Sequence, residues 1–473
     1  MAGDKVRRGF LFYVMMLLLF VVAIFFILVV IMVFNPGMNL LGMKYFSNIR
    51  DYRVVEVMPS GQNVEYINLS NATDIVVDGN LINFEILRDQ NIEHTTVEIE
   101  NYQTGFAESG QNSQFSYSVE YSLQENSRYL LDINVTNAEG FLYFNNNCYV
   151  RILLPKDETL NSTNTLTVST EKGSIILGGG QALLDENDSY FNFRNVNLQT
   201  DSGNIRFGEY LETNFSQLSI NNQSGSFRTA KDVVLEDNST LNITGQSGSF
   251  EFANITKAST TDNALINFNL SSGSFSAENV DCDINLKTTN STVNIQNLSG
   301  NLQANDLVNK MDGANLTIGQ VAGSISLPFA NNSNITIDDA SQAEIFINSN
   351  NAQIDIGKLA AGSWLETKQG SINVSLADTS GDINLVSESA NINIDGNTQM
   401  QNSVNANSVS GSVVLNYNPQ SSFTVEFYNS QGQAREDVEA EGYENTFSNP
   451  LVVNGGGVRN TISTNGNISL RRL

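Results

Sequence analysis

The side chains best suited to chemistry are few in this sequence. Its 473 residues contain one histidine, His94, and two cysteines, Cys148 and Cys282. A single histidine excludes metal sites built on histidine pairs, and no motif around His94 indicates a Ser-His-Asp triad. The two distant cysteines could pair in an oxidising space, but isolated strand cysteines are more often small buried hydrophobes. We therefore expect no metal, no cofactor and no catalytic residue of these types.

Carboxylates are abundant, with 50 Asp and Glu against 24 Lys and Arg and a formal net charge of −26. Acidic clusters at 281–283, 338–339 and 436–437 could bind calcium, but none lies in an EF-hand loop or a glycine-rich calcium repeat. Paired carboxylates also cleave polysaccharides in β-helical enzymes. Because no acidic motif repeats and Trp364 is the only tryptophan, we expect solvated acids and no enzyme. The negative surface also argues against a nucleic-acid partner.

Asparagines in Asn-x-Ser/Thr triplets are numerous, and in an exported chain they would be glycan acceptors. A strand with apolar inner and polar outer positions produces the same triplet from a composition rich in Asn, Ser and Thr. Both interpretations leave the asparagine on the outer face. Five candidate glycosylation sites have an apolar middle residue: Asn242, Asn254, Asn315, Asn334 and Asn373.

An unbroken apolar run occupies residues 10–34. As a helix it would extend about 37 Å, enough to cross a hydrocarbon core of about 30 Å. Lys5, Arg7 and Arg8 form a basic cluster just before it, and basic flanks stay on the cytoplasmic side. This predicts a cytoplasmic N-terminus at 1–9, one span of the cell membrane, and an extracytoplasmic remainder.

The end of the run favours an anchor over a cleaved signal peptide. The apolar stretch is much longer than the roughly 7–15 residues of a signal core, and no small-x-small site follows it. Pro36 and Gly37 are expected to end the helix, and residues 35–49 to form a linker. We predict an uncleaved signal anchor.

Beyond the linker, short segments alternate apolar and polar residues between Gly, Asn, Asp and Ser, which is typical of strands. One unit recurs: a glycine, a small polar residue, then apolar residues at alternate positions. The five spacings from Gly203 to Gly323 are 22, 23, 25, 27 and 23 residues. The unit begins at Gly173, Gly203, Gly225, Gly248, Gly273, Gly300, Gly323, Gly370, Gly381, Gly411 and Gly466.

A period of 20 to 30 residues made only of strands and turns predicts an all-β solenoid, a parallel β-helix or β-roll, after the single N-terminal transmembrane helix. Glycine would permit the tight, often left-handed corners between strands. Ile325, Leu327, Ile372 and Val374 should point inward and stack on neighbouring coils. Stacked asparagines could form hydrogen-bonded ladders, and Asn373→Asp should face water and change stability by at most about 0.5 kcal/mol.

Two regions depart from the regular repeat. Residues 50–155 are β-rich but irregular, and could be a small sandwich or the cap of the solenoid, which would then occupy 156–473. Residues 429–448 are acidic and polar, and we expect them to project as a loop before the last strands.

Specific segments carry a resemblance to a known family. They are Asn460–Leu470, Cys148–Pro155 followed by Leu166–Leu177, and the many Ser-Gly-[Ser/Asn/Asp]-[Ile/Phe/Val] steps. Over roughly residues 145–473 the chain resembles the adhesin-like domain family of bacterial and archaeal surface β-helix proteins, whose function is unknown. The resemblance implies a β-helix-like fold and no catalytic residues.

These observations favour a membrane-anchored, non-catalytic surface scaffold, adhesin-like, that interacts with surface glycans or envelope proteins. A structural stalk that assembles end to end is the second hypothesis, and uncapped terminal coils would favour it. A carbohydrate-active enzyme is the third, and a groove with two close carboxylates would favour it. Nothing in the sequence specifies the oligomeric state.

Overall fold

The computed structural model describes most of the chain. The described residues are 2–35, 38–40, 43–55, 66–69, 71–89, 91–108, 115–137, 143–155, 158, 160, 163–178, 191–208, 211–212, 214–229, 231–304, 310–396, 399–442 and 448–473.

The N-terminal helix α1 covers Ala2–Phe34. Among the described residues it is the one helix long and apolar enough to cross a membrane, over Phe12–Phe34. Over Phe12–Phe34 most side chains are exposed, and Met32 in the last turn is buried. Pro36 and Gly37 lie outside the described residues. The helix therefore has the length and composition of a membrane anchor or a signal sequence.

Apart from α1, the regular structure of the described residues is made of strands. The first group is β1 (Asn39–Leu40), β2 (Met43–Val55), β3 (Thr73–Arg88), β4 (Thr96–Glu108), β5 (Ser116–Leu123), β6 (Tyr129–Thr136) and β7 (Tyr143–Leu154). The central group is β8 (Thr165–Lys172), β9 (Ile175–Leu177), β10 (Phe191–Asn192), β11 (Asn195–Thr200), β12 (Ile205–Phe207), β13 (Leu211–Glu212), β14 (Asn214–Asn222), β15 (Ser226–Thr229), β16 (Val233–Gly245), β17 (Ser249–Lys257), β18 (Ala264–Leu270), β19 (Ser274–Val280), β20 (Asp283–Thr289), β21 (Thr292–Leu298), β22 (Leu302–Gln303), β23 (Met311–Asp312), β24 (Asn315–Val321), β25 (Ile325–Leu327), β26 (Ala330–Asn331), β27 (Ser333–Asp339), β28 (Ile345–Leu359), β29 (Trp364–Leu376), β30 (Gly381–Ser387), β31 (Asn391–Asp395), β32 (Asn402–Ser408) and β33 (Val413–Tyr417). The last group is β34 (Phe423–Tyr428), β35 (Glu439–Ala440), β36 (Leu451–Val453), β37 (Val458–Ser463) and β38 (Ile468–Arg472).

The central strands stack in parallel to form a solenoid with two main sheets, which confirms the predicted fold class. Sheet I runs through β9, β12, β15, β17, β19, β21, β24, β27, the second halves of β28 and β29, β31 and β33. Sheet II runs through β8, β11, β14, the second half of β16, β18, β20, β22, β25, the first halves of β28 and β29, β30 and β32.

The core is a set of apolar rows that run along the solenoid axis. One row in sheet I contains Ile205, Phe227, Phe250, Phe275, Val293, Leu316, Ile335, Ile354, Ile372, Ile392 and Val413. Ile372 is 0% exposed and Val374 3%. Ile325 and Leu327 are buried as well. The alternation predicted from the sequence therefore places all four residues inside the solenoid.

The glycine repeat combines two different corners. Eight of the eleven units lead into sheet I, but those at Gly300, Gly323 and Gly381 lead into sheet II. The predicted spacing of 27 residues between Gly273 and Gly300 therefore joins non-equivalent positions. The true coil repeat along the row described above runs from 18 residues, as between Phe275 and Val293, to 25, as between Phe250 and Phe275.

At several of these corners glycine is required because the backbones of neighbouring coils approach closely, and less because of the backbone conformation of the corner. A Cβ on Gly225 would lie 1.6 Å from the carbonyl oxygen of Gly203, one coil away. A left-handed φ is found at only some of the corners, for example +108° at Gly370. The prediction that the corners need glycine for a left-handed turn is therefore correct at Gly370, whereas Gly225 is required because stacked backbones touch there.

The solenoid begins with coils that do not follow chain order. β3 pairs with β8 and β9 on one side and with β6 and β7 on the other. β5, β4 and β2 continue the stack as antiparallel strands. The described strands of residues 50–155 therefore belong to the same stack of strands as the solenoid, and β2 begins at Met43, within the segment expected to be a linker.

At the C-terminal end, too, the strands stack in an order that differs from their order in the chain. β37 lies between β32 and β34, and β38 lies between β33 and β35, so the last strands of the chain are not the last of the stack. The short antiparallel strand β36 pairs with β34. Arg435 donates to the carbonyl oxygens of Thr464 and Gly466 at 2.6 and 2.7 Å. The predicted loop is therefore held against the last coil at Arg435 and at β35, whereas residues 431–434 are exposed.

Candidate functional site

Several strands of sheet I bend in the middle, and the bend makes the outer face concave. In β17, Phe252 and Ile255 are both buried, so the two residues between them both lie on the outside. Each neighbouring strand has a pair of residues at the same place. The pairs are Ala253 and Asn254, Glu278 and Asn279, Gln296 and Asn297, Gly319 and Gln320, and Asp338 and Asp339.

This bend lines a groove with a volume of about 1210 Å³. Its walls come from the seven strands β12, β15, β17, β19, β21, β24 and β27, so it extends about 29 Å at the usual strand spacing of about 4.8 Å. Ser276, Asn294 and Thr317 occupy one row along its wall. An open polar channel of this length suits an elongated ligand better than a compact one.

A hydrogen-bonded amide ladder runs along one side of the groove. Asn254 donates to Asp232 at 2.6 Å, Asn279 donates to Asn254 at 2.5 Å, and Asn297 donates to Asn279 at 2.8 Å. A second ladder on sheet II joins Asn242, Asn267, Asn285 and Gln303. The predicted stacking of asparagines is therefore confirmed, and the ladder holds the side chains of the groove in defined positions.

The charges of the groove are separated along its length. Arg206 and Arg228 are register neighbours at the end nearer the N-terminal cap. Arg228 pairs with Glu251 at 3.6 Å, and Glu278 and Asp338 lie further along. Between Glu278 on β19 and Asp338 on β27, the groove is neutral and lined by amides, hydroxyls and small side chains. Of these residues the sequence drew attention only to Asp338, as part of the acidic cluster 338–339, because the others are ordinary outward positions until the coils are aligned.

An ion pair adjoins the acidic end of the groove. Lys358 donates to Asp339 at 2.6 Å, and the backbone N–H of Ser341 donates to the same carboxylate at 3.0 Å. These hydrogen bonds, that from Lys358 foremost, lower the pKa of Asp339 to about 2. Asp339 therefore stays ionised well below neutral pH.

The arrangement of carboxylates bears on the enzyme hypothesis. Glu251 and Glu278 lie on the adjacent strands β17 and β19 within the groove. Glu251 is already paired with Arg228, and Glu278 is offset by two positions along the strand from Ser276, the register partner of Glu251. Within the described ranges, no three His, Cys, Asp or Glu side chains are grouped so as to hold a metal ion.

The five candidate glycosylation sites lie on strands, all at least partly accessible, and they do not form one cluster. Asn315 and Asn334 are exposed neighbours, and Asn334 donates to Asn315 at 2.8 Å. The side-chain amides of Asn254 and Asn373 donate to Asp232 and Asp355, and Asn242 accepts from Asn267. Adjacent rungs are too close for two glycans, so Asn315 and Asn334 are alternatives; glycosylation stays a prediction.

The two cysteines and the histidine noted in the sequence lie in environments that indicate a structural role. Cys148 and Cys282 are both free and buried, and desolvation raises the pKa of each thiol to about 12, so neither is a reactive thiolate. The ring of His94 stacks on that of Tyr66, with centroids 3.6 Å apart. The structure brings none of the three into the groove.

A second polar surface lies on the N-terminal cap, and sequence reasoning missed it. Arg50, 61% exposed, forms an ion pair with Glu100, and the hydroxyl of Tyr102 donates to the same carboxylate at 2.7 Å. Arg151 lies 3.4 Å from Glu100, and its guanidinium lies over the ring of Tyr149 at 5.1 Å. This network holds the pKa of Glu100 below its usual value, the Tyr102 hydrogen bond first and the two arginines after it. It ties together β2, β4 and β7.

A solved structure described as a candidate cell adhesion protein from Clostridium sporogenes aligns with 90% of this chain and 100% of its own, at 8% identity and a TM-score of 0.15. A score that low supports no argument about this protein. No curated protein sequence matches the chain at a significant level.

A family match covers most of the chain. The Toastrack DUF4097 family matches at residues 87–338 and 216–471, which together span more than half of the sequence. The matched region includes the solenoid, the groove and both amide ladders, in agreement with the resemblance noted from the turn-and-strand steps. The chain belongs to the Toastrack DUF4097 family.

Proposed function

We propose that the protein is a membrane-anchored, non-catalytic surface scaffold, adhesin-like, whose groove on sheet I binds a ligand outside the cell. Residues 10–34 would anchor it in the cell membrane, with 1–9 in the cytoplasm. Residues 50–155 would cap the solenoid of 156–473. The observation that supports this most is the groove, an elongated polar channel held rigid by the amide ladder of Asn254, Asn279 and Asn297.

The C-terminal end disfavours the stalk hypothesis. End-to-end assembly needs a strand edge of useful length on both terminal coils. The two-residue β35 and the three-residue β36 are the outermost strands at the C-terminal end, so that end offers little edge for pairing. A long binding face along the side of the solenoid suits this architecture better than contacts at its ends.

Binding is favoured over catalysis for a physical reason. A general acid in glycoside cleavage needs a carboxyl group held protonated near neutral pH, usually by burial. Glu278 and Glu251 are solvent-exposed, and Glu251 has an arginine partner. Neither carboxyl group therefore has the buried environment that such an acid usually requires.

The experiment is to remove the domain from intact cells. Protease added outside should degrade the solenoid, leave an N-terminal fragment that contains α1, and abolish attachment of the cells to the surface that they normally bind. A domain protected from protease, or attachment that persists after complete removal of the domain, would overturn the proposal. Cells that express the chain only up to residue 49 are the control.

A further inference from the structure

We propose that the ligand of the groove is a neutral, hydroxyl-rich linear glycan that lies along the solenoid axis. This inference rests on the proposed function and adds the chemical class of the ligand. It follows from three features of the groove: the unused hydrogen-bonding capacity of the ladder, the spacing of its rungs and the distribution of charge.

Each ladder amide keeps half of its hydrogen-bonding capacity. A side-chain amide has two N–H donors and an oxygen with two lone pairs. Asn279 uses one N–H toward Asn254 and accepts one hydrogen bond from Asn297. One donor and one acceptor therefore remain at such a rung, and Asn279 and Asn297 both line the groove. Sugar hydroxyls, which donate and accept at the same atom, match this mixed array.

The rung spacing favours a glycan over an extended peptide. Neighbouring coils present equivalent groups about every 4.8 Å. An extended peptide along the same axis repeats its side chains on one face roughly every 6.4–6.8 Å, so its polar groups would fall out of step with the rungs. A glycan has hydroxyls on both edges of each ring, and therefore some hydroxyl meets each rung.

The charges favour a neutral chain. A polyanion would approach a protein of net charge −26 and then meet Glu251, Glu278 and Asp338. A polycation would be attracted by the net charge and the carboxylates, but Arg206 and Arg228 at the other end of the groove would repel it. A neutral chain avoids both repulsions, while its hydroxyls can donate to the carboxylates and accept from the guanidinium groups.

Preorganisation supports the same conclusion. The ladder fixes the amide rotamers before the ligand arrives, so binding loses little side-chain entropy. The wall residues around the ladder are short: Ser276 and Thr317 face the channel, and Gly319 leaves room at the bend. This gives space for sugar rings directly above the rungs.

The test uses full-length protein in lipid nanodiscs and three soluble probes: a neutral linear oligosaccharide panel, a polyuronate and polylysine. We expect a neutral oligosaccharide to bind with an affinity that hardly changes between low and high salt. Asn279→Leu, which removes a rung, should weaken that binding about tenfold or more. Asn405→Leu, which removes a rung of sheet II outside the groove, should leave it unchanged. Melting curves of both variants establish that they fold.

Two results would overturn the inference. Salt-sensitive binding of polyuronate or polylysine in place of the neutral panel would show a charged ligand. If the protein binds none of the neutral oligosaccharides, while cells that display it still attach through the groove, glycans are excluded and the proposed function stands. If blocking the groove does not affect attachment, the proposed function itself fails, which is a separate outcome.

Discussion

The side-chain amide of Asn373 donates to the carboxylate of Asp355 at 2.5 Å, one coil away. Its oxygen accepts from Asn393 at 2.6 Å, so Asn373 is the middle rung of a ladder. Asn373 lies on the outer face, as expected, but it is only partly exposed and is hydrogen-bonded to both neighbouring coils. A side chain on the outer face of one coil also contacts the side chains at the equivalent positions of the two neighbouring coils.

Asn373→Asp should destabilise the protein by about 1–2 kcal/mol at neutral pH, because two carboxylates would then lie opposite each other and one donor would be lost. The double variant with Asp355→Asn restores a donor and an acceptor, and should recover most of the loss. Urea unfolding of the wild type, both single variants and the double variant measures the coupling. A single variant as stable as the wild type would contradict the ladder.

Ile372→Asp should be much more damaging than Asn373→Asp, although the two positions are adjacent. Ile372 is fully buried between Ile354 and Ile392, so its replacement leaves an unpaired carboxylate in the core. We expect a loss of several kcal/mol, roughly 3–5. Ile372→Val is the matched control, at about 0.5–1.5 kcal/mol. Equal stability of the Asp and Val variants would place this residue outside the core.

Gly225→Ala tests the close stacking of the glycine corners. The new Cβ would collide with the carbonyl oxygen of Gly203, and we expect a loss of about 3 kcal/mol or more. Gly432→Ala is the control: its φ is +81°, but no atom lies within 4 Å of the new Cβ, so backbone strain alone should cost about 1 kcal/mol. If thermal unfolding gives the reverse order, steric contact between coils is not what requires glycine at 225.

The sequence was sufficient for the parts of the fold that depend on local patterns. Alternation after each Gly-Ser corner placed Ile325 and Ile372 inside, and the abundance of Asn indicated the ladders. The two kinds of corner could not be separated, since Gly273 and Gly300 precede similar residues but lead into different sheets. The exchanged coils at both ends depend on pairing between distant strands, which no local pattern specifies.

The groove illustrates the same limit. It exists because Ala253 and Asn254 both lie outside, and that break in alternation is visible only when neighbouring coils are aligned. The polar wall residues have the same types as outward residues elsewhere on the solenoid. Recognition of a site built by stacking therefore requires the register of the coils.

Acid should weaken one interaction near the groove in a defined pH range. The pKa of Asp339 is about 2 in the folded protein against an ordinary value of 3.8. Because the folded value is the lower, the Asp339–Lys358 pair stabilises fully above pH 3.8 and loses its effect as the pH falls toward 2. The stability difference between the wild type and Asp339→Asn should shrink over this range, and also with added salt. A difference that is constant from pH 6 to pH 2 would contradict the assignment.

The central claim is that the groove is the working surface of the protein. Thr317→Trp places a large ring inside the groove from an exposed position on β24, whereas Val414→Trp adds the same ring on the outer face of sheet I outside it. Attachment of cells that display equal amounts of each full-length variant is the direct measurement. The account predicts that Thr317→Trp abolishes attachment and Val414→Trp does not. Equal attachment of the two variants would contradict it.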